Sequence, residues 1–136
     1  MAYIKFKDKD TAHFDVDDTL IIWVTNMTEE QEKRAVQVVD SMGTTFHIPN
    51  TPMIDKLKAH HEKGDVVVVW SQGGADWAEA VVKALKLEKY VHAILTKPTH
   101  YYDDLEVDVW MPKRIYENIE EPSIGGLKRF KDIDND

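Results

Sequence analysis

The chain has 136 residues, 43% hydrophobic and 31% charged, with no cysteine and a formal net charge of −8. That length predicts one domain with a sizeable core, and the acid excess disfavours extended binding to nucleic acid, which needs clustered Lys and Arg. Disulfides and thiolate metal sites are excluded, and no apolar run approaches the roughly 20 residues of a membrane span.

Tyr3-Ile4-Lys5-Phe6 partly alternates apolar and polar and reads as an edge strand. The start lacks the apolar stretch of a secretory signal, so a cytoplasmic setting is expected. Residues 12–17 are expected to form the central strand of a sheet. They run into His13-Phe14-Asp15-Val16-Asp17-Asp18-Thr19-Leu20. In extended chain, residues i and i+2 share a side, so Asp15 and Asp17 would crowd together where the strand ends. Such concentrated charge calls for a cation, and hard oxygen donors suit Mg²⁺.

Residues 21–50 read as an excursion, a small β-hairpin flap built from strand-like runs at 21–24, 36–39 and 45–48. Thr28 is placed to cap a short helix over 28–35. Trp23 and His47 fall on this flap, where packing is the expected role and substrate contact the alternative. Thr51-Pro52 opens a helix, and Gly64 closes it. Val66-Val67-Val68-Val69-Trp70 is apolar throughout, as in a strand covered on both faces. It ends in Ser71-Gln72-Gly73-Gly74. Trp77, Ala80, Val81, Ala84 and Leu85 keep helical spacing, which predicts a core-facing helix over 75–86. A short strand at 91–95 leads to Thr96-Lys97-Pro98, and His100-Tyr101-Tyr102 suggests another before Asp103-Asp104. The tail, 118–136, is polar. His60 and His61 are adjacent on a helix and cannot share a face, so no zinc site is expected.

The β-α-β-α-β alternation predicts an open α/β sheet. Ligands of such sheets bind at the carboxyl ends of the strands, and Asp15, Asp17, Ser71, Lys97 and Asp103 all fall there by sequence.

An acid-x-acid-x-Thr motif, then a strand into Ser, then Lys, then an acidic pair is an ordered set. It resembles the four motifs of the haloacid-dehalogenase-like superfamily of phosphotransferases, over roughly residues 11–105. The resemblance implies a three-layer Rossmann-like parallel sheet with helices on both faces, the flap serving as a minimal cap. It implies a Mg²⁺-dependent phosphomonoester hydrolase. Asp15 would be the nucleophile, forming an aspartyl-phosphate, and Asp17 the general acid/base. Ser71, Gln72, Gly73 and Lys97 would hold the phosphoryl group, with Ser71 and Lys97 also counted as catalytic. Asp15, Asp17, Asp103 and Asp104 would surround the metal, Asp17 through its backbone carbonyl. Asp18 reads as a turn cap and Thr19 as loop support.

The flap is too small for a full cap domain. The site would therefore admit a macromolecular end, or a small phosphorylated metabolite covered by oligomerisation. A receiver-like phosphoacceptor and a non-catalytic binding module are the competing readings. In a receiver the acidic pair comes first, whereas here it follows the lysine.

Overall fold

The computed structural model of the chain describes residues 10–118. The strand expected at 3–6 and the tail from 119 onward lie outside the described residues. In chain order the elements are β1 (Thr11–Phe14), β2 (Ile21–Ile22), α1 (Glu29–Arg34), β3 (Val36–Asp40), β4 (Gly43–Pro49), α2 (Thr51–Glu62), β5 (Val66–Ser71), α3 (Ala75–Ala84), β6 (Ala93–Thr96) and α4 (Val107–Trp110). No strand forms at 100–102, where the chain is loop. Among the described residues no helix is long and apolar enough to cross a membrane.

The protein is α/β. A three-stranded parallel sheet runs in the order β1-β5-β6, and a smaller antiparallel sheet in the order β2-β4-β3. The acid-bearing strand is therefore not central among the described strands; β5 is. The reason is legible in burial. Val66, Val67, Val68 and Val69 are all buried, as suits a strand in the middle of a parallel sheet. In β1, Thr11 and His13 are exposed while Phe14 is buried, which an outer strand tolerates.

Register decides where the helices go. Ala12 pairs with Val67, Phe14 with Val69, and Val69 with Ile94, so these side chains share one face. Met53, Ile54 and Leu57 of α2 and Ala78, Val81 and Val82 of α3 join them in a single core. Both helices thus pack on the same face. The sheet steps in one direction from β1 to β5 to β6, and crossovers of one hand then land on one side. The opposite face carries His13, Val68, Trp70 and Leu95, with the His13 and Trp70 rings 4.5 Å apart. Neither α2 nor α3 covers it. The described residues show two layers, and the expected helices on both faces are not seen.

The excursion forms as a hairpin of β3 and β4, with β2 pairing to the outer half of β4 through Ile21 and Pro49. It is not a free flap. Val38 is fully buried and Val36 packs beside it in the main core, and β3 lies against α3. Helix α1 precedes it, closed by a reciprocal cap: Thr28 Oγ1 accepts from Gln31 N at 3.1 Å, and Gln31 Oε1 accepts from Thr28 N at 2.9 Å. Helix α2 ends at a turn whose Gly64 has φ +87°, the left-handed backbone expected there.

One buried residue joins these parts. Asn50, immediately before α2, is fully buried. Its Nδ2 donates to Thr19 O at 2.8 Å and to Glu117 O at 2.7 Å, and its backbone N–H donates to Leu20 O at 2.9 Å. The acidic loop, the start of α2 and the segment at 117 thus meet at a single amide. Asn50→Ala leaves two carbonyls without this donor and is expected to cost about 1–3 kcal/mol. Urea unfolding followed by circular dichroism measures it; a change under a few tenths of a kcal/mol would refute the role.

Candidate active site

The carboxyl ends of β1, β5 and β6 lie side by side. Phe14 is level with Val69, and Ser71 with Thr96, so Asp15, Ser71 and Lys97 leave neighbouring strands on the same edge. Lys97 N donates to Ser71 O at 2.9 Å and ties two of those ends together.

Asp15 itself sits just beyond β1, in a loop rather than in the strand. The chain there wraps around one carbonyl: Val16 O accepts from Thr19, Leu20 and Ile21 N at 3.1, 2.9 and 3.2 Å. The turn is completed by Asp18, whose φ of +58° is a left-handed conformation that aspartate tolerates. Asp18 is buried, and its Oδ1 accepts from Trp23 N at 3.2 Å. The turn-cap role expected for Asp18 fits these contacts.

Burial pushes the Asp15 carboxyl above the ordinary aspartate value of 3.8; the Lys97 ammonium and a bond from the Val16 backbone pull it back, while Asp17 and Asp18 push it up further. The site therefore holds three acids within four residues, and Lys97 is the cation that acts on Asp15.

Asp17 is held in a way the sequence does not announce. Its Oδ1 accepts from Trp23 Nε1 at 2.8 Å and from Trp77 Nε1 at 3.0 Å. Indole N–H groups only donate, so the two rings converge on one oxygen and fix the carboxylate between them. Their centroids are 6.0 Å apart. His47 completes the cluster, its ring 4.3 Å from Trp23 and 5.6 Å from Trp77. His47 is fully buried, with Nε2 bonded to Thr45 Oγ1 at 2.7 Å. Burial lowers its pKa below 6.5, with Asp17 and Asp18 pulling the other way. Trp23 and His47 are thus more than flap packing, and Trp77, read from spacing as a core residue, reaches the acid loop. Its place in the first turn of a helix that follows Gly-Gly was the available signal.

Ser71 is fully buried, and its Oγ accepts from Gly73 N at 2.9 Å. It closes the turn after β5 and is not the cap of α3, whose N-cap residue is Gly74. A Cβ on Gly73 would stand 3.3 Å from both Ser71 Oγ and Trp77 Cδ1. A side chain there would push on both, and the contact joins the serine to the indole that holds Asp17. Gln72 is exposed. The first backbone amide of α3 is already engaged, Ala75 N donating to Thr96 Oγ1 at 3.0 Å.

Asp103 and Asp104 stand elsewhere. Both are exposed, and Asp103 Oδ1 accepts from Leu105 N at 3.0 Å within its own turn. They are not among the charges that act on Asp15. Among the described residues no group of three or more His, Cys, Asp or Glu side chains is arranged to hold a metal ion. Asp15 offers the hard oxygens Mg²⁺ prefers, but the doublet expected to complete the shell is not gathered beside it. The adjacent histidines have partners of their own: His60 Nδ1 lies 2.9 Å from Asp65 Oδ2, and the His61 ring packs on Tyr90 at 5.3 Å.

The raised pKa of Asp15 has a stability consequence. The folded chain keeps a proton that the unfolded chain releases from about pH 3.8 upward. The stability this gives is complete below that value and is lost as pH climbs through the raised one. Asp15→Asn removes the loss. In metal-free buffer its Tm is expected to exceed the wild type's at neutral pH, on the order of 4 °C per kcal/mol gained, with the gap closing toward about pH 4. Scanning calorimetry across that range measures it, and an unchanged gap at every pH would contradict the burial argument.

Neither a scan against protein-family models nor searches of curated proteins and of solved structures gives a match to this chain.

Proposed function

We propose that the protein is a phosphomonoester hydrolase of the haloacid-dehalogenase-like type, working through an aspartyl-phosphate on Asp15. The observation that carries the reading is the convergence at one sheet edge: a half-buried Asp15 under the influence of Lys97, a buried Ser71 bonded through its carbonyl to Lys97 N, and an Asp17 fixed by two indoles. In this reading the fold is Rossmann-like, and the face bearing His13, Val68 and Trp70 takes the second layer. The setting is cytoplasmic and the substrate a soluble phosphorylated compound.

The steps balance as follows. A carboxylate oxygen of Asp15 attacks phosphorus in line, and the bond from phosphorus to the leaving oxygen breaks. Asp17, entering protonated, gives its proton to that oxygen. Lys97 and the Ser71 hydroxyl offset the charge on the transferring oxygens. Water then attacks the phosphorus of the aspartyl-phosphate and gives up a proton to Asp17. Inorganic phosphate leaves, and the Asp15 carboxylate is restored. Mg²⁺ belongs to the proposal as the counter-charge to Asp15 and the transferring oxygens. Asp15 and the Asp17 carbonyl would hold it.

Hydrolysis of ribose 5-phosphate and of an aryl phosphate, followed by phosphate release, tests the reading. Asp15→Asn is expected to abolish turnover with the circular dichroism spectrum unchanged. Asp17→Asn should slow both formation and breakdown of the intermediate, by ~10²-fold or more. EDTA should stop the reaction and Mg²⁺ restore it. Full activity in Asp15→Asn would overturn the nucleophile, and full activity in EDTA the metal.

A further inference from the structure

Beside Asp17 lies a cleft of about 360 Å³. Trp23, Trp77 and Gly73 form one side, and the turn of the hairpin from Asp40 to Thr45 forms the other. We infer that this cleft seats the base of a nucleoside monophosphate, so that the group leaving from phosphorus is a nucleoside. The inference rests on the phosphatase reading for the reaction but not for the binding.

Position comes first. Asp17 is the residue that would protonate the leaving oxygen, and it lines the cleft. Lys97 and Ser71 belong to the strand edge where the phosphoryl group would sit. Gly73, whose N–H is bonded to Ser71 Oγ, also lines the cleft, so the cleft adjoins that edge. A group leaving from phosphorus past Asp17 would enter it.

Shape and chemistry then select the class. The volume is near the low end of small-molecule sites, which run from about 300 to 1,000 Å³. One ring system with a sugar fits; a folded partner does not. Two partly exposed indoles supply flat apolar surface, on which a base gains about 1–3 kcal/mol by stacking. Their N–H tips are already bonded to Asp17, so the rings are oriented before any ligand arrives and little ordering is required on binding. The strand that leads to the opposite lip is anchored, because Val38 is buried in the core and β3 packs on α3.

Charge gives the polarity. Asp17 and Asp40 both face the cleft, which disfavours a phosphate there and favours groups that donate hydrogen bonds. Asp40 Oδ1 accepts from Met42 N at 2.9 Å, and a carboxylate has further lone pairs to offer. The hydroxyls of Thr44 and Thr45 stand alongside. Nucleobases combine a π face with N–H donors. A bare sugar phosphate brings hydroxyls but no such face. The net charge of −8 points to a free nucleotide over one at the end of a longer, more highly charged strand.

The test is a titration of the full chain, read by its tryptophan fluorescence, with four probes: the common nucleoside monophosphates, ribose 5-phosphate, inorganic phosphate and a short 3′-phosphorylated single strand. At least one mononucleotide is expected to quench the signal and to bind 10-fold or more tightly than ribose 5-phosphate, the factor that about 1.4 kcal/mol of stacking gives. Trp23→Leu should collapse that ratio toward one. Because Trp23 also anchors Asp17, Met42→Glu, at a lip residue 91% exposed, is the second variant; it too should lower the ratio. Equal binding of nucleotide and ribose 5-phosphate, or a ratio that neither variant changes, would overturn the inference. Tighter binding of the strand than of any mononucleotide would overturn the assignment to a free nucleotide. Selective nucleotide binding without hydrolysis of any probe would leave this inference standing and remove the phosphatase. Equal hydrolysis of ribose 5-phosphate and nucleotides would do the reverse.

Discussion

Two indole N–H groups on one carboxylate oxygen organise this protein's functional edge. Trp23 arrives from the end of β2, Trp77 from the first turn of α3, and both bond to Asp17 Oδ1. The loop after β1 and the excursion are also joined by Trp23 N on Asp18 and by Asn50, but this shared acceptor is what ties α3 to both of them, where apolar packing alone sets distance and not orientation. A hydrogen-bonded acceptor sets both. It also explains how two large amphipathic rings can be left partly open at a cleft: each has its polar tip satisfied.

The same arrangement concentrates charge. Asp15, Asp17 and Asp18 follow one another closely, with Lys97 brought across from the end of β6. Such a cluster of like charges, one of them half-buried, costs folding free energy. Around it the backbone is tightly specified, by the Val16 carbonyl with its three N–H donors and by the Asn50 amide. Rigid surroundings hold the acids where relaxation alone would separate them.

Local signals in the chain carried much of the fold. The unbroken Val66–Val69 run, Pro52 at the start of a helix, Gly64 at its end and Thr28 as a cap each act within a few residues, and each took the form expected. Long-range placement was not legible. Which strand stands in the middle depends on pairing partners, and β5 holds that place because β1 and β6 pair along its two edges. The alternation of Asp15 and Asp17 suggested a strand, yet β1 stops at Phe14 and the acids lie on a turn. The site divided in the same way. Asp15, Ser71 and Lys97 fall together because strand ends in a parallel sheet do so by construction. Asp103 and Asp104 follow a loop, whose course no periodicity constrains. Trp77 showed the spacing of a core residue, and nothing in that spacing reveals a hydrogen bond 60 residues away in sequence.

The hairpin that roofs the cleft is stitched to α3 by the fully buried Val38 and its neighbour Val36. The strand behind the turn is thus part of the core, so the outline of the cleft is set by the same packing that holds the fold together, and a change made in that packing would reshape the cleft's wall.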